Sequence, residues 1–196
     1  MTGNPQAAVQ GLAEARVVVV GRSRWARAAA RELSAAGVGA METPSGPGEA
    51  EDAIAAKQPA ALVIAARAGE GTERIARAAH AAKVTSLWAG RSGSILAMGP
   101  LVVPGQTACA ACALDESLNP APPRQIANHP TSMDEARDGL LGHLVALEAI
   151  KVITRYAPSR LGGRMVVQDL AAWTSSTCTL VRLPWCRICG DGGAAV

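Results

Sequence analysis

Phenylalanine is absent from this chain, tyrosine occurs once, and four tryptophans complete an aromatic content of 3%. Rings therefore cannot fill the interior. The apolar share is still 49%, so a core can close, built from Ala, Val, Leu and Ile. No basic block with interleaved aromatics occurs, and 19 Lys and Arg against 16 Asp and Glu leave only +3, so no nucleic-acid partner is expected. No apolar run approaches spanning length, so no membrane is expected. Met1 is followed by no apolar signal segment, which points to a cytoplasmic protein with reduced thiols. Histidine is scarce too: His80, His129 and His143 stand at no ligand or triad spacing and are expected on the surface or packed on helices. At 196 residues the chain is one domain, or one domain with a small appended module.

What the chain does have is five cysteines, four of them in two pairs, Cys109-Ala110-Ala111-Cys112 and Cys186-Arg187-Ile188-Cys189. Each pair follows turn-like sequence, Pro104-Gly105-Gln106-Thr107-Ala108 and Leu183-Pro184-Trp185, and Gly190 closes the second. Two residues between cysteines let one tight turn aim both sulfurs at a single ion, and two such turns complete a tetrahedral thiolate site. Separate redox dithiols are the alternative, but such a motif follows a strand and opens a helix, whereas Pro104 and Pro184 suggest loops or strand ends. Structural disulfides would require export. With all four positions filled by protein, the expected ion is a structural Zn2+ that ties the C-terminus to the middle of the chain. Cys178 lies in strand-like sequence with no histidine nearby, which favours a buried structural cysteine over a nucleophile.

Along the chain, residues 1–15 read as a tail or short helix. Arg16-Val17-Val18-Val19-Val20-Gly21 is a buried strand, and Ser23 caps a helix over 24–36 that stops at Gly37. A strand at 38–41, a loop at 43–48, a helix at 49–57, a strand at 61–65, a helix at 70–82 and a strand at 84–88 follow. This alternation makes residues 16–92 a Rossmann-like α/β half. Residues 93–196 form a second, zinc-bearing half. It holds two short strands around Gly99-Pro100, a proline-rich loop at 120–130, and strands at 164–170 and 179–183. Its long helix, 133–156, spreads apolar residues such as Leu140, Leu141, Leu147 and Ile153 beyond one stripe, as for a helix sandwiched in its own domain or a subunit interface. Trp25, Trp88, Trp173 and Trp185 are expected to fill core or interface.

The first turn reads Gly21-Arg22-Ser23-Arg24-Trp25-Ala26. A dinucleotide fingerprint needs a second glycine for close approach of the pyrophosphate and a small third residue. Gly21 and Ala26 fit; Ser23 replaces the second glycine, and Arg22, Arg24 and Trp25 obstruct the turn. Glu42 stands near the position of a ribose-binding acid. Gly21, Ser23, Ala26 and Glu42 are thus remnants of a nucleotide site, and no catalytic residue is assigned.

Taken whole, the chain resembles the ThiF-like (ubiquitin-activating-enzyme-like) superfamily, whose members pair a Rossmann unit with a zinc site of two Cys-x-x-Cys knuckles. The resemblance is carried by Gly99-Pro100-Leu101-Val102-Val103-Pro104-Gly105-Gln106-Thr107-Ala108-Cys109-Ala110-Ala111-Cys112 and Leu183-Pro184-Trp185-Cys186-Arg187-Ile188-Cys189-Gly190. It is nearest to the subfamily that accompanies YcaO-type cyclodehydratases in making azole-bearing peptides. The resemblance implies a truncated, Rossmann-like ThiF-type sheet in a homodimer. It also implies a role presenting a precursor's leader peptide to the YcaO enzyme. Active adenylating members resemble one another in a Gly-rich first turn and an Asp after the third strand. Here that strand runs into Ala65-Ala66-Arg67 with no acid, which leaves a minimal ATP-dependent adenylyltransferase as the alternative. Only about fifteen residues precede the first strand, too few for a leader-binding winged helix, so leader capture is expected from a separate module.

Overall fold

The computed structural model describes residues 4–69, 71–115 and 132–190. Among the described residues, thirteen elements follow in chain order: α1 (Pro5–Glu14), β1 (Arg16–Val19), α2 (Arg24–Ala35), β2 (Ala40–Glu42), α3 (Pro47–Ile54), β3 (Leu62–Ala66), α4 (Thr72–Ala81), β4 (Ser86–Ser92), β5 (Ile95–Val102), α5 (Ala110–Leu114), α6 (Ser132–Thr154), β6 (Arg164–Asp169) and β7 (Thr174–Thr179). They build one seven-stranded sheet in the order β2-β1-β3-β4-β5-β6-β7. Its first four strands are parallel, and β5, β6 and β7 extend it antiparallel.

The apolar runs of the parallel strands are explained by burial on both faces. Val17, Val19, Leu62, Ile64 and Leu87 face a layer made by α1, α2 and α6, and Val18, Val20, Val63, Ala65 and Trp88 face α3, α4 and α5. Without phenylalanine, closeness replaces bulk. At the crossing of α2 and α6, a Cβ on Gly142 would lie 2.5 Å from Ala28 Cβ and 2.7 Å from Trp25 O, so only glycine lets the two backbones approach. Arg91 of β4 anchors the start of α6, donating to Asp138 Oδ1 at 2.8 Å and Asp134 Oδ1 at 3.0 Å.

Several expectations change. Of the two readings of residues 1–15 the short helix holds, over 5–14: Asn4 Oδ1 caps it by accepting from Gln6 N–H at 3.0 Å, and Leu12 buries against the α2–α6 layer. The segment around Gly99-Pro100 is one strand, because β5 pairs with β4 on both sides of it, Met98 with Ala89 and Leu101 with Leu87. The last strand is 174–179 rather than 179–183. Its polar sequence hides it, since β7 is an edge strand with almost no buried side chain. Leu180 and Leu183 beyond it bury into the core as coil. Trp25 and Trp88 are core residues, whereas Trp173 and Trp185 are 80% and 63% exposed and fill no core among the described residues. The proline-rich loop at 120–130, with His129, lies outside the described residues.

The long helix is first of all a core element. Leu141, Val145, Ala146 and Ala149 are buried, while Met133, Leu140 and Leu147 remain exposed. Among the described residues, no helix is long and apolar enough to cross a membrane.

Candidate metal centre

The first cysteine pair begins where β5 ends. Thr107 Oγ1 accepts from Val103 N–H at 2.9 Å and tightens the turn, and Cys109 then stands at the N-cap of α5. Here the expectation of a loop is corrected: the pair opens a short helix. The second pair is a hydrogen-bonded knuckle, with Cys186 N–H donating to Leu183 O at 3.1 Å and Gly190 N–H to Cys186 O at 2.8 Å. A Cβ on Gly190 would meet Cys186 O at 2.6 Å, so no larger residue closes it. Arg182 Nε donates to Cys189 O at 2.9 Å and fixes the far side.

The two turns bring all four sulfurs together. Cys109 Sγ lies 3.8 Å from Cys112 Sγ and 3.6 Å from Cys186 Sγ, and Cys112 Sγ lies 3.4 Å from Cys189 Sγ. All four are mutually within 4.8 Å. A disulfide would need about 2.05 Å, and no such bond is present among the five cysteines. Two separate dithiols would not interleave in this way either. Four thiolates at about 2.3 Å from one zinc-sized ion sit about 3.8 Å apart at tetrahedral angles. The cluster fits a metal ion.

Its surroundings agree. Cys109, Cys112 and Cys189 are buried and Cys186 is half-buried. Burial pushes the Cys109 thiol up, and pushes Cys112 up to about 11. Burial also acts to raise Cys186, but donated backbone hydrogen bonds from Cys189 and Ile188 outweigh it and bring it down to about 7. A cation is what would hold such buried sulfurs as thiolates. Leu183 N–H already points at Cys112 Sγ, 3.5 Å away, as second-layer support.

The nucleotide remnants do not form a comparable site. Gly21 takes φ +105°, and its N–H donates to Pro44 O at 2.9 Å. Ser23 Oγ accepts from Ala26 N–H at 3.3 Å and caps α2, while the Ala26 side chain is buried beneath. Glu42 is committed elsewhere: Arg16 Nε donates to its Oε1 at 2.7 Å, and the same buried guanidinium reaches Gln58 O and Ala53 O. One expectation is overturned here. Trp25 turns into the core and does not obstruct the turn.

Two features escaped the sequence reading. Arg67, just past β3, is buried and donates to the Met165 sulfur of β6; burial pulls its guanidinium down from the ordinary value. The second is the Arg91 clamp on α6. An arginine inside an apolar strand–turn segment was the available signal in the first case, and nothing in the local pattern announced the second. Cys178 is half-buried on β7, opposite Met165. His143 Nε2 lies 3.2 Å from Glu32 Oε1, and the ring of His80 is half-buried on α4.

No family model and no curated protein sequence matches the chain. Solved structures do. MccB from E. coli, in complex with MccA-N7isoASN, superposes with a TM-score of 0.74 at 15% identity, covering 95% of this chain and 70% of that one. A heterocyclase in complex with substrate and cofactor gives 0.69 at 20% identity, over 95% of this chain and 27% of that larger one. PaaA gives 0.70 at 14% identity, over 91% and 68%. At such identities the likeness is one of fold: the chain is a mixed α/β protein with the ThiF-like fold, and four clustered cysteines sit beside its sheet.

Proposed function

We propose that the chain is a non-catalytic, zinc-stabilised partner of a YcaO-type cyclodehydratase, serving biosynthesis of a ribosomally made, azole-modified peptide. In this reading the 16–92 half is a rigid platform, and the 93–196 half is braced by Zn2+ on Cys109, Cys112, Cys186 and Cys189. The precursor's leader peptide is held by the assembly or by a separate leader-binding module. Fold alone does not imply activity, so the reading rests on the mouth of the parallel sheet. There a buried cation, Arg67, stands past β3 where a metal-holding acid would be needed, and Glu42 is spent on Arg16. Phosphoryl chemistry needs cationic and metal help aimed at the phosphates, and an arginine at that point would repel a magnesium ion. The fold shared with a heterocyclase solved with substrate and cofactor supports a heterocycle-forming context.

Self-association runs through the outer face of α6. Met133, Leu140 and Leu147 lie exposed there, seven residues apart and therefore in one stripe.

The test is reconstitution with a YcaO enzyme and its precursor. Azole formation should depend on this chain, while the chain alone shows no ATP–pyrophosphate exchange. Robust exchange by the chain alone would establish instead the second reading, a minimal ATP-dependent adenylyltransferase that activates a carboxyl group. One observation favours that reading: Trp25 is folded inward and does not close the first turn. An MccB structure with bound ATP shares the fold.

A further inference from the structure

Helix α2 turns Arg24, Arg27 and Arg31 to solvent, at spacings of three and four residues that place them on one side of the helix. They line a cavity of about 400 Å³ with Gly21, Thr43 and Glu135. Six other arginines are paired: Arg16, Arg74, Arg77, Arg91, Arg137 and Arg187 each have a carboxylate within 3.3 Å. Among the described residues, no carboxylate comes within ion-pair distance of Arg24, Arg27 or Arg31. Arg27 Nη1 reaches only the carbonyl of Arg22, at 2.9 Å. Glu135 lines the wall without closing on them, and Glu32 of the same helix faces His143. Three uncompensated charges on two turns repel one another, and they raise the local concentration of any anion.

The layout of the charges selects the anion. From Arg24 to Arg31 the row runs about 10 Å along the helix axis. An extended peptide covers that length in about three residues, and its alternate side chains stand about 7 Å apart on one side. Two carboxylates at alternate positions therefore fall within the length of the row, and guanidinium forks suit them well. A nucleotide would instead concentrate its phosphates at the first turn, where Gly21 N–H and Ala26 N–H are already donated to Pro44 O and Ser23 Oγ. The nucleotide crevice of such sheets lies between β1 and β3, and no β3 residue lines this cavity.

We propose that the arginine face of α2 and its cavity bind an extended acidic peptide segment with carboxylates at alternate positions. This deepens the peptide-partner reading by naming the charge pattern of the peptide held. Fluorescence anisotropy with labelled deca-glutamate, at near-physiological salt, tests it. The wild-type chain should bind, labelled deca-lysine should not, and Arg24→Ala/Arg27→Ala/Arg31→Ala should weaken binding by about tenfold or more. Arg74→Ala/Arg77→Ala on α4 removes two paired arginines and should change affinity by less than about twofold. All these side chains are exposed, so circular dichroism and metal content should match the wild type and exclude misfolding. Equal weakening in the two variants would reduce the effect to net charge and overturn the proposal. Absence of deca-glutamate binding, or its displacement by micromolar ATP, would overturn it as well. The partnership with a cyclodehydratase is read separately, from azole formation, so one idea can fail while the other stands.

Discussion

The two halves of the sheet are held in different ways. Every residue of β1 is buried, and so are the first four of β3, each sandwiched between helical layers. In the antiparallel half the cover thins strand by strand: β6 alternates between buried and partly open positions, and five of the six residues of β7 are exposed. Apolar burial alone can account for the first half, at about 25 cal/mol per Å² removed from water. In the second it serves β5 well and β7 least. There the chain leaves β7, buries Leu180 and Leu183, and meets α5 at the cysteine cluster, where the proposed metal would pin it. The contrast teaches that a fold can be completed by a point tether where its apolar supply runs out.

Breaking the tether should therefore have the largest effect, and an uneven one. Cys112→Ser removes the most buried of the four sulfurs; if the cluster holds zinc as proposed above, that binding would be worth on the order of 10 kcal/mol. We expect zinc content to fall well below one equivalent, and amide exchange to accelerate through residues 104–114 and 180–190. The amides of β1 and β3 should keep most of their protection if any folded protein survives. A chelator should reproduce the pattern on the wild-type chain. Unchanged metal content and exchange in the variant would show that the cluster is not the tether.

The same contrast explains what could be read from sequence. The parallel half was legible because burial on both faces writes a continuous apolar run, as in Val17-Val18-Val19-Val20, and because Ser23 caps α2 where expected. The cysteine cluster was legible because its chemistry depends on spacing rather than on surroundings. β7 was not, since a two-sided polar edge such as Thr174-Ser175-Ser176-Thr177 carries no period-two signal. Trp25 was misplaced for a related reason. A motif comparison treats it as part of a turn, whereas its position on the inner face of α2 decides where the ring goes. The buried Arg67 and the Arg16–Glu42 pair depend on contacts between distant strands, which no local pattern records.

Within the helical layer, two leucines of one helix separate core from surface. Leu141 is fully buried and Leu147 is 46% exposed. Leu141→Ala should lower stability in denaturant titration by about 2–5 kcal/mol through loss of packing and a residual cavity. Leu147→Ala should stay within about 0.5 kcal/mol. Leu147→Glu should leave the fold intact but shift the light-scattering mass to the monomer, if α6 carries the self-association proposed above. A Leu147→Glu chain of unchanged mass in a wild-type oligomer would remove α6 as the interface.

The smallest expected effect lies at the hairpin joining β6 to β7, where Leu170 packs on the core and polar bonds close the turn. Asp169 Oδ1 accepts from Ala171 N–H at 2.8 Å, Ala172 N–H at 3.3 Å and Ser94 Oγ at 3.1 Å. These bonds, the Ala171 amide first, together hold its carboxyl below the ordinary carboxylate value against the opposing effect of burial. A carboxyl whose folded pKa is depressed stabilises the fold above the unfolded value, about 3.9, and loses that contribution as pH falls through the folded value. The Ala171 and Ala172 amides should thus lose hydrogen-bond character in NMR spectra at pH below about 4, before any change at β1. Asp169→Asn keeps an acceptor oxygen but has no proton to take up, so the hairpin amides should become insensitive to pH over that range. If they titrate as in the wild type, the carboxylate is not what closes the turn, and the edge strand must be held by its ladder to β6 alone.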